Sequence, residues 1–399
     1  MIPALRQRYN AAFTDARYAA FTRELNRAMY WPVDFRVAES PLFLDESTTR
    51  TLVAAADDLT RQLATPQFRA HAADAVPKNL SVPHETEWPH FLCIDFALCA
   101  DADGRIVPQL IELQGFPTVA AWQVLQANAF RQHFPEVPAD LTPFFGGLDE
   151  ERYFDALRTA ILGEHLPENV VLLEIEPERQ KTRIDFACTH SFLNVRPLCL
   201  SKVRQRGDRL FYFSGGREVP IHRIYNRVIF DELLRKPDFK PGFNLRDDRV
   251  QVEWAGHPNW YFRLSKHSLP FLKSPYVPDC RFVSELGASL PADLENYVLK
   301  PLYSFAGLGV DIAPTREKIA ALERPAEWIL QRKVSYAPIL QTPDGPAKAE
   351  IRLIFAGDGT GMPRLVNNLV RLTKGAMHGV DFNKGKTWVG SSCAFHPAL

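Results

Sequence analysis

Apolar and polar residues alternate with period two over residues 91–98 and 106–113. These segments bracket the turn-forming run Asp101-Ala102-Asp103-Gly104. The pattern predicts a β-hairpin. Helical apolar spacing is expected at 11–29, 47–63, 117–132 and 150–162, with irregular chain at 66–90 and a proline-rich connection at 135–147. From 170 the texture changes to short alternating units. Val170–Glu174 and 196–203 read as strands, 179–193 as a helix, and Ser214-Gly215-Gly216 as a turn leading into a strand over Ile221–Val228. Such alternation predicts a small α/β lobe. Residues 236–262 read as loop and 265–272 as one or two helical turns. Strands are expected at 296–302, 327–334, 347–355 and 364–372, with a glycine-containing loop at 303–309 and a helix at 315–323.

Composition narrows the function classes. The chain carries 47 Lys plus Arg against 47 Asp plus Glu over 399 residues. Net neutrality argues against a nucleic-acid platform, which needs a basic face, and against a polybasic membrane surface. The length suggests two to three domains. Six cysteines form no CxxC pair and no zinc spacing. Without an apolar export signal or a membrane-length apolar run, a cytoplasmic location with reduced thiols is the expectation.

The hairpin contains the most informative chemistry. A two-residue turn at Asp103-Gly104 pairs Ile94 with Leu113 and Phe96 with Ile111 on one apolar face. Asp95 then lies opposite Glu112, with Gln114 on the same face. Carboxylates so placed are about 4.5–5.5 Å apart at Cβ and repel. A hard cation such as Mg²⁺ resolves the conflict, making Asp95, Glu112 and Gln114 its candidate ligands. The alternative is a solvated sheet face on which the two charges stay apart.

Further on, YVLKPLYSFAGLGV (297–310) delivers Lys300 on a strand and follows it with Ser304, Ala306, Gly307 and Gly309. Small residues let backbone N–H groups approach phosphate oxygens, and lysine supplies a point charge. Neither a P-loop nor a dinucleotide fingerprint is present. An ordinary turn is the competing reading. His84 to His90 lacks HExxH spacing, and the glycines at 357–361 read as a turn.

Together these segments resemble the ATP-grasp superfamily in its circularly permuted branch, which includes the synthetase domain of glutathionylspermidine synthase. The carboxylate hairpin precedes the lysine strand, as in that branch, and the resemblance covers most of 91–375. It implies a mixed α+β or α/β fold. Residues 1–90 would be a helical N-terminal segment and 91–147 the metal hairpin and helix of the ATP-grasp core. Residues 150–262 would form a small α/β lobe and 263–399 the nucleotide-binding lobes.

Residue by residue, the resemblance places ATP contacts at Lys266 (in HPNWYFRLSKHSLPFL), Lys300, Ser304, Gly307 and Gly309, with Gln331 of EWILQRKV near the purine. Arg371 of RLVNNLVRL and Arg227 of the Ile224-Tyr225-Asn226-Arg227 strand become catalytic candidates. Arg371 would stabilise an oxyanion, and Arg227 would hold a substrate carboxylate. The implied activity is an ATP- and Mg²⁺-dependent carboxylate–amine ligase working through an acyl phosphate on small-molecule or peptide substrates. Three departures stand out: Gln114 replaces the family's asparagine, Cys93 a basic residue, and Asn226 an arginine. Gln114 and Cys93 keep open a non-catalytic nucleotide-binding or scaffold protein on the same fold, and the carboxylates alone would suit a metal-dependent hydrolase.

Overall fold

The hairpin forms over Phe91–Ala100 and Ile106–Gln114, and its register differs from the expectation near the turn. The turn holds three residues between Asp101 and Arg105, with Gly104 at φ 77°. A positive φ of this size suits glycine, which has no Cβ to clash. The longer turn shifts pairing by one, so Phe96 faces Leu110, not Ile111. Ile111 is then extruded as a β-bulge, which restores the expected pairing for Ile94–Leu113 and Asp95–Glu112. One irregularity cancels the other before the carboxylates are reached.

A computed structural model describes residues 1–399 except 288, 305–307 and 376–382. It is a mixed α/β structure with several sheets. The hairpin forms one side of a five-stranded antiparallel sheet, in the order Gly390–Ser392, Arg364–Thr373, Lys348–Ala356, Phe91–Ala100, Ile106–Gln114. Ile94, Phe96, Leu110, Ile351, Leu353 and Leu372 share one wholly apolar core. The opposite face is apolar at one end, where Phe91, Ile354 and Val366 join a second core. Charge sits in the middle of that face.

Four parallel strands make a separate sheet in the order Glu253–Ala255, Arg223–Asn226, Val170–Glu174, Arg196–Cys199. Val171, Leu173 and Ile224 fill one side of it and Val170, Leu172 and Tyr225 the other. Alternate residues bury on both faces, as in a sheet covered on two sides. The Ser214 turn is present, with Gly215 and Gly216 at positive φ, but it joins Arg209–Ser214 to Arg217–Ile221 in a small meander. The strand expected over Ile221–Val228 narrows to Arg223–Asn226. A third sheet orders Cys280–Phe282, Trp328–Arg332 and Tyr297–Pro301 antiparallel.

The N-terminal region is helical, with two corrections. The run at 11–29 breaks at Phe13-Thr14 into Pro3–Ala12 and Asp15–Arg27, because Thr14 turns extended and accepts a hydrogen bond from the Arg17 amide. The stretch at 66–90, expected to be irregular, begins with a helix over Pro66–Ala73. Thr65 caps it and Pro66 occupies its first turn, where a missing N–H costs nothing. Leu42–Phe43 pairs in parallel with Ala394–Phe395 near the C-terminus, tying the two chain ends together. Among the described residues no helix is long and apolar enough to cross a membrane.

Candidate functional site

Register alone assembles the charged patch. Glu112, Asp95, Arg352 and Leu369 form one row across four strands. Ala97, Glu350, Arg371 and Ser391 form the next row on the same face. Asp95 is fully buried, and Arg352 grips both of its oxygens: Nε to Oδ1 and Nη2 to Oδ2, each at 2.6 Å. Arg371 adds a contact to Oδ2 at 2.5 Å and reaches Glu350 at 2.5 Å. Burial opposes ionisation of each member and pairing favours it; for Arg352 pairing with Asp95 wins and its pKa is raised. A third Arg352 nitrogen donates to the Thr118 hydroxyl at 3.2 Å.

Glu112 is the second focus. Lys266 approaches its carboxylate to 3.8 Å and Arg352 to 3.7 Å, and the Gln114 amide donates to it directly. Burial pushes the Glu112 carboxyl up. The charges of Lys266, Arg352, Arg371 and Lys300 overcome that and bring it down to about 2. Thus all four cations act on one carboxylate.

The lysines arrive from different elements. Lys266 opens a short 3₁₀ helix over Lys266–Phe271 and donates to the Ser304 carbonyl at 2.6 Å. The chain that leads to it is held by Gly115, whose amide donates to the Leu264 carbonyl at 2.7 Å. A Cβ on Gly115 would meet the Trp260 carbonyl at 2.3 Å, so only glycine permits this contact. Lys300 donates to the bulged Ile111 carbonyl at 3.0 Å and to Gln331 Oε1 at 2.6 Å, while Gln331 Nε2 donates to the Leu110 carbonyl at 3.1 Å. The bulge therefore frees the carbonyl that seats Lys300. Burial lowers the Lys300 pKa, with Glu112 opposing.

The arginine side of the patch opens into a cavity of about 570 Å³. Arg36, Arg352, Arg371, Lys384 and Lys386 line it, together with Thr118 and several apolar residues, and among the described residues no carboxylate does. Behind the cavity, Arg227 is buried and donates to the carbonyls of Pro117 and Thr118. It does not line the cavity. Gly309 turns at φ 74° after the lysine strand, and Gly307 lies outside the described residues.

The metal expectation can be tested on the donors themselves. Asp95 has neither exposure nor a free carboxylate oxygen, since two guanidiniums take both. A cation would have to displace Arg352 and then sit beside it. Among the described residues no group of three His, Cys, Asp or Glu is arranged to hold a metal. The three-residue set Asp95, Glu112 and Gln114 does not fit a divalent ion, although Glu112 and Gln114 remain adjacent.

Sequence reasoning brought Asp95, Glu112, Gln114, Lys266, Lys300, Gln331 and Arg371 toward one place, and the structure gathers them around the bulged strand. It missed Arg352, Glu350 and the role of Thr118. A signal existed: in Ala349-Glu350-Ile351-Arg352-Leu353 the alternation aims both charges at one face of an otherwise buried strand.

The chain matches no protein-family model and no curated protein. Among solved structures it is similar to a glutathione synthetase like-effector (GSS30) from Globodera pallida in apoform, with a TM-score of 0.57 and 12% identity, covering 96% of each chain. At that identity the likeness extends to the fold: this chain has a glutathione synthetase-like architecture.

Proposed function

We propose that the protein is an ATP-dependent carboxylate–amine ligase on a circularly permuted ATP-grasp scaffold. The observation that carries this reading is the convergence of Lys266, Lys300, Arg352 and Arg371 on Glu112, next to a cavity that, among the described residues, is lined by five cations and no anion. Such a site suits a nucleotide polyphosphate on the lysine side and an acidic substrate on the arginine side. The glutathione synthetase-like fold supports the same class of chemistry.

In this reading Lys266 and Lys300 bind the ATP phosphates beside Ser304 and Gly309, with Gln331 fixing the orientation of Lys300. The substrate carboxylate oxygen attacks the γ-phosphorus, ADP leaves, and an acyl phosphate forms. An amine then attacks the acyl carbon, inorganic phosphate leaves, and the amine proton passes to solvent. Arg371, held by Asp95 and Glu350 with more than a third of its side chain exposed, is placed to stabilise the oxyanion. Mg²⁺ accompanies ATP in solution, and no step is assigned to an ion on Asp95. Arg227 acts on this site through the 117–118 backbone.

The test is ADP release from ATP in magnesium buffer across panels of acids and amines. The ligase reading expects release that requires one member of each panel together. Tight ATP binding with no turnover across the panels would overturn it in favour of a non-catalytic nucleotide-binding protein.

A further inference from the structure

The sheet does something unusual with Asp95. A carboxylate with no exposed surface is given three guanidinium contacts, two from Arg352 and one from Arg371. Arg352 stands on the strand next to that of Asp95 and Arg371 on the strand beyond it, and both line the cavity. Thr118 accepts a further bond from Arg352, and Glu350 takes Arg371. Arg371 Nε nevertheless has no hydrogen-bond partner among the described residues. Long arginine side chains lose rotamer freedom when they bind a ligand, and a fork held in advance avoids that cost.

We propose that Asp95 is a positioning residue that clamps Arg352 and Arg371 into a preformed oxyanion site, so that the cavity takes a carboxylate or phosphate without a divalent cation on Asp95. This deepens the ligase reading at its acid-binding end but needs only the cavity, not turnover. Simple electrostatics gives the opposite expectation for one variant, which makes the idea testable. Removing a negative charge beside an anion site should strengthen anion binding. Removing a clamp should weaken it.

The experiment is a binding titration of the full chain with inorganic phosphate and, separately, with succinate, both in excess EDTA. The two probes tell a phosphate subsite from a carboxylate subsite. Wild type is expected to bind at least one of them, and Asp95→Asn to bind it about fivefold or more weakly. Arg352→Lys keeps the charge and loses the fork, so it is expected to show a similar loss; this variant also covers the case in which Asp95→Asn does not fold. Mn²⁺ binding in the presence of ATP, followed by electron paramagnetic resonance, should be unchanged in Asp95→Asn. No anion binding in EDTA, tighter anion binding by Asp95→Asn, undiminished binding by Arg352→Lys, or loss of Mn²⁺ in Asp95→Asn would each overturn the proposal. Anion binding in EDTA without any ADP release in the ligase assay would sink the ligase reading and leave this one standing.

Discussion

Arg227 donates from a single guanidinium nitrogen to the carbonyl oxygens of Pro117 and Thr118, at 3.0 and 2.8 Å. Its guanidinium lies over the rings of Phe116 and Phe186, 5.6 and 5.3 Å from their centroids. Asp185 holds the start of the helix that follows, Ala120–His133, accepting from the Trp122 amide at 2.9 Å. The loop they fix carries Thr118, which in turn steadies Arg352. Arg227→Met should therefore destabilise the fold by about 3 kcal/mol, the cost typical of breaking a buried charge network. Urea denaturation checks this. A variant with unchanged stability and a selectively weakened acid substrate would instead mark Arg227 as a direct substrate contact.

Gly115 sets how closely the hairpin end approaches the segment that delivers Lys266. Gly115→Ala puts a Cβ 2.3 Å from the Trp260 carbonyl and 2.9 Å from Leu264 Cβ, and backbone must move. Overpacking of this kind costs about 1–3 kcal/mol. Because the displaced chain leads directly to Lys266, the variant should also lose ATP affinity. The melting temperature and an ATP titration measured together test it, and a drop in the first without the second would detach Gly115 from the site.

The hairpin shows what was legible and why. Alternation and a turn signal sufficed to oppose Asp95 and Glu112, because a buried face tolerates no one-residue slip. They could not reveal the three-residue turn or the bulge at Ile111, since the two errors cancel in the pattern. Residue order and resemblance single out Lys300. They do not single out the clamp by Arg352, because it depends on which strand lies beside Phe91–Ala100. That strand, Lys348–Ala356, is some 250 residues away in sequence, and strand order is a property of tertiary packing. The same distance hides the contact of Leu42–Phe43 with the C-terminal strand.

Lys300 links the bulge to the third sheet through Ile111 and Gln331. Lys300→Met preserves the length and apolar stem while removing the charge and both hydrogen bonds. ATP affinity should fall by about 10- to 100-fold, corresponding to the roughly 1.5–3 kcal/mol of a charged hydrogen bond. Folding stability should fall less, because the lysine's own desolvation is relieved at the same time. Calorimetric titration with ATP, set beside a thermal melt, separates the two effects; unchanged ATP binding would remove Lys300 from the proposed nucleotide site.

Glu174 provides a pH test of the parallel lobe. It ends the strand Val170–Glu174, is buried, and accepts a hydrogen bond from the Ile175 amide at 2.7 Å. Burial raises its pKa from 4.5 to about 8, against the pull of that hydrogen bond and of Arg227. The folded state therefore keeps a proton that the unfolded chain releases above about pH 4.5. Between that value and about pH 8 the folded form binds more protons, so this residue makes stability fall as pH rises, by up to ~1.4 kcal/mol per pH unit. Glu174→Gln retains the shape and the acceptor but cannot ionise. Its stability should match wild type near pH 4 and exceed it by about 2–4 kcal/mol at pH 8, where the wild-type penalty is largest. Urea midpoints at pH 4, 6 and 8 decide the point: a difference that is flat with pH would show that Glu174 is ionised in the folded protein and paired by Arg227 or Lys236.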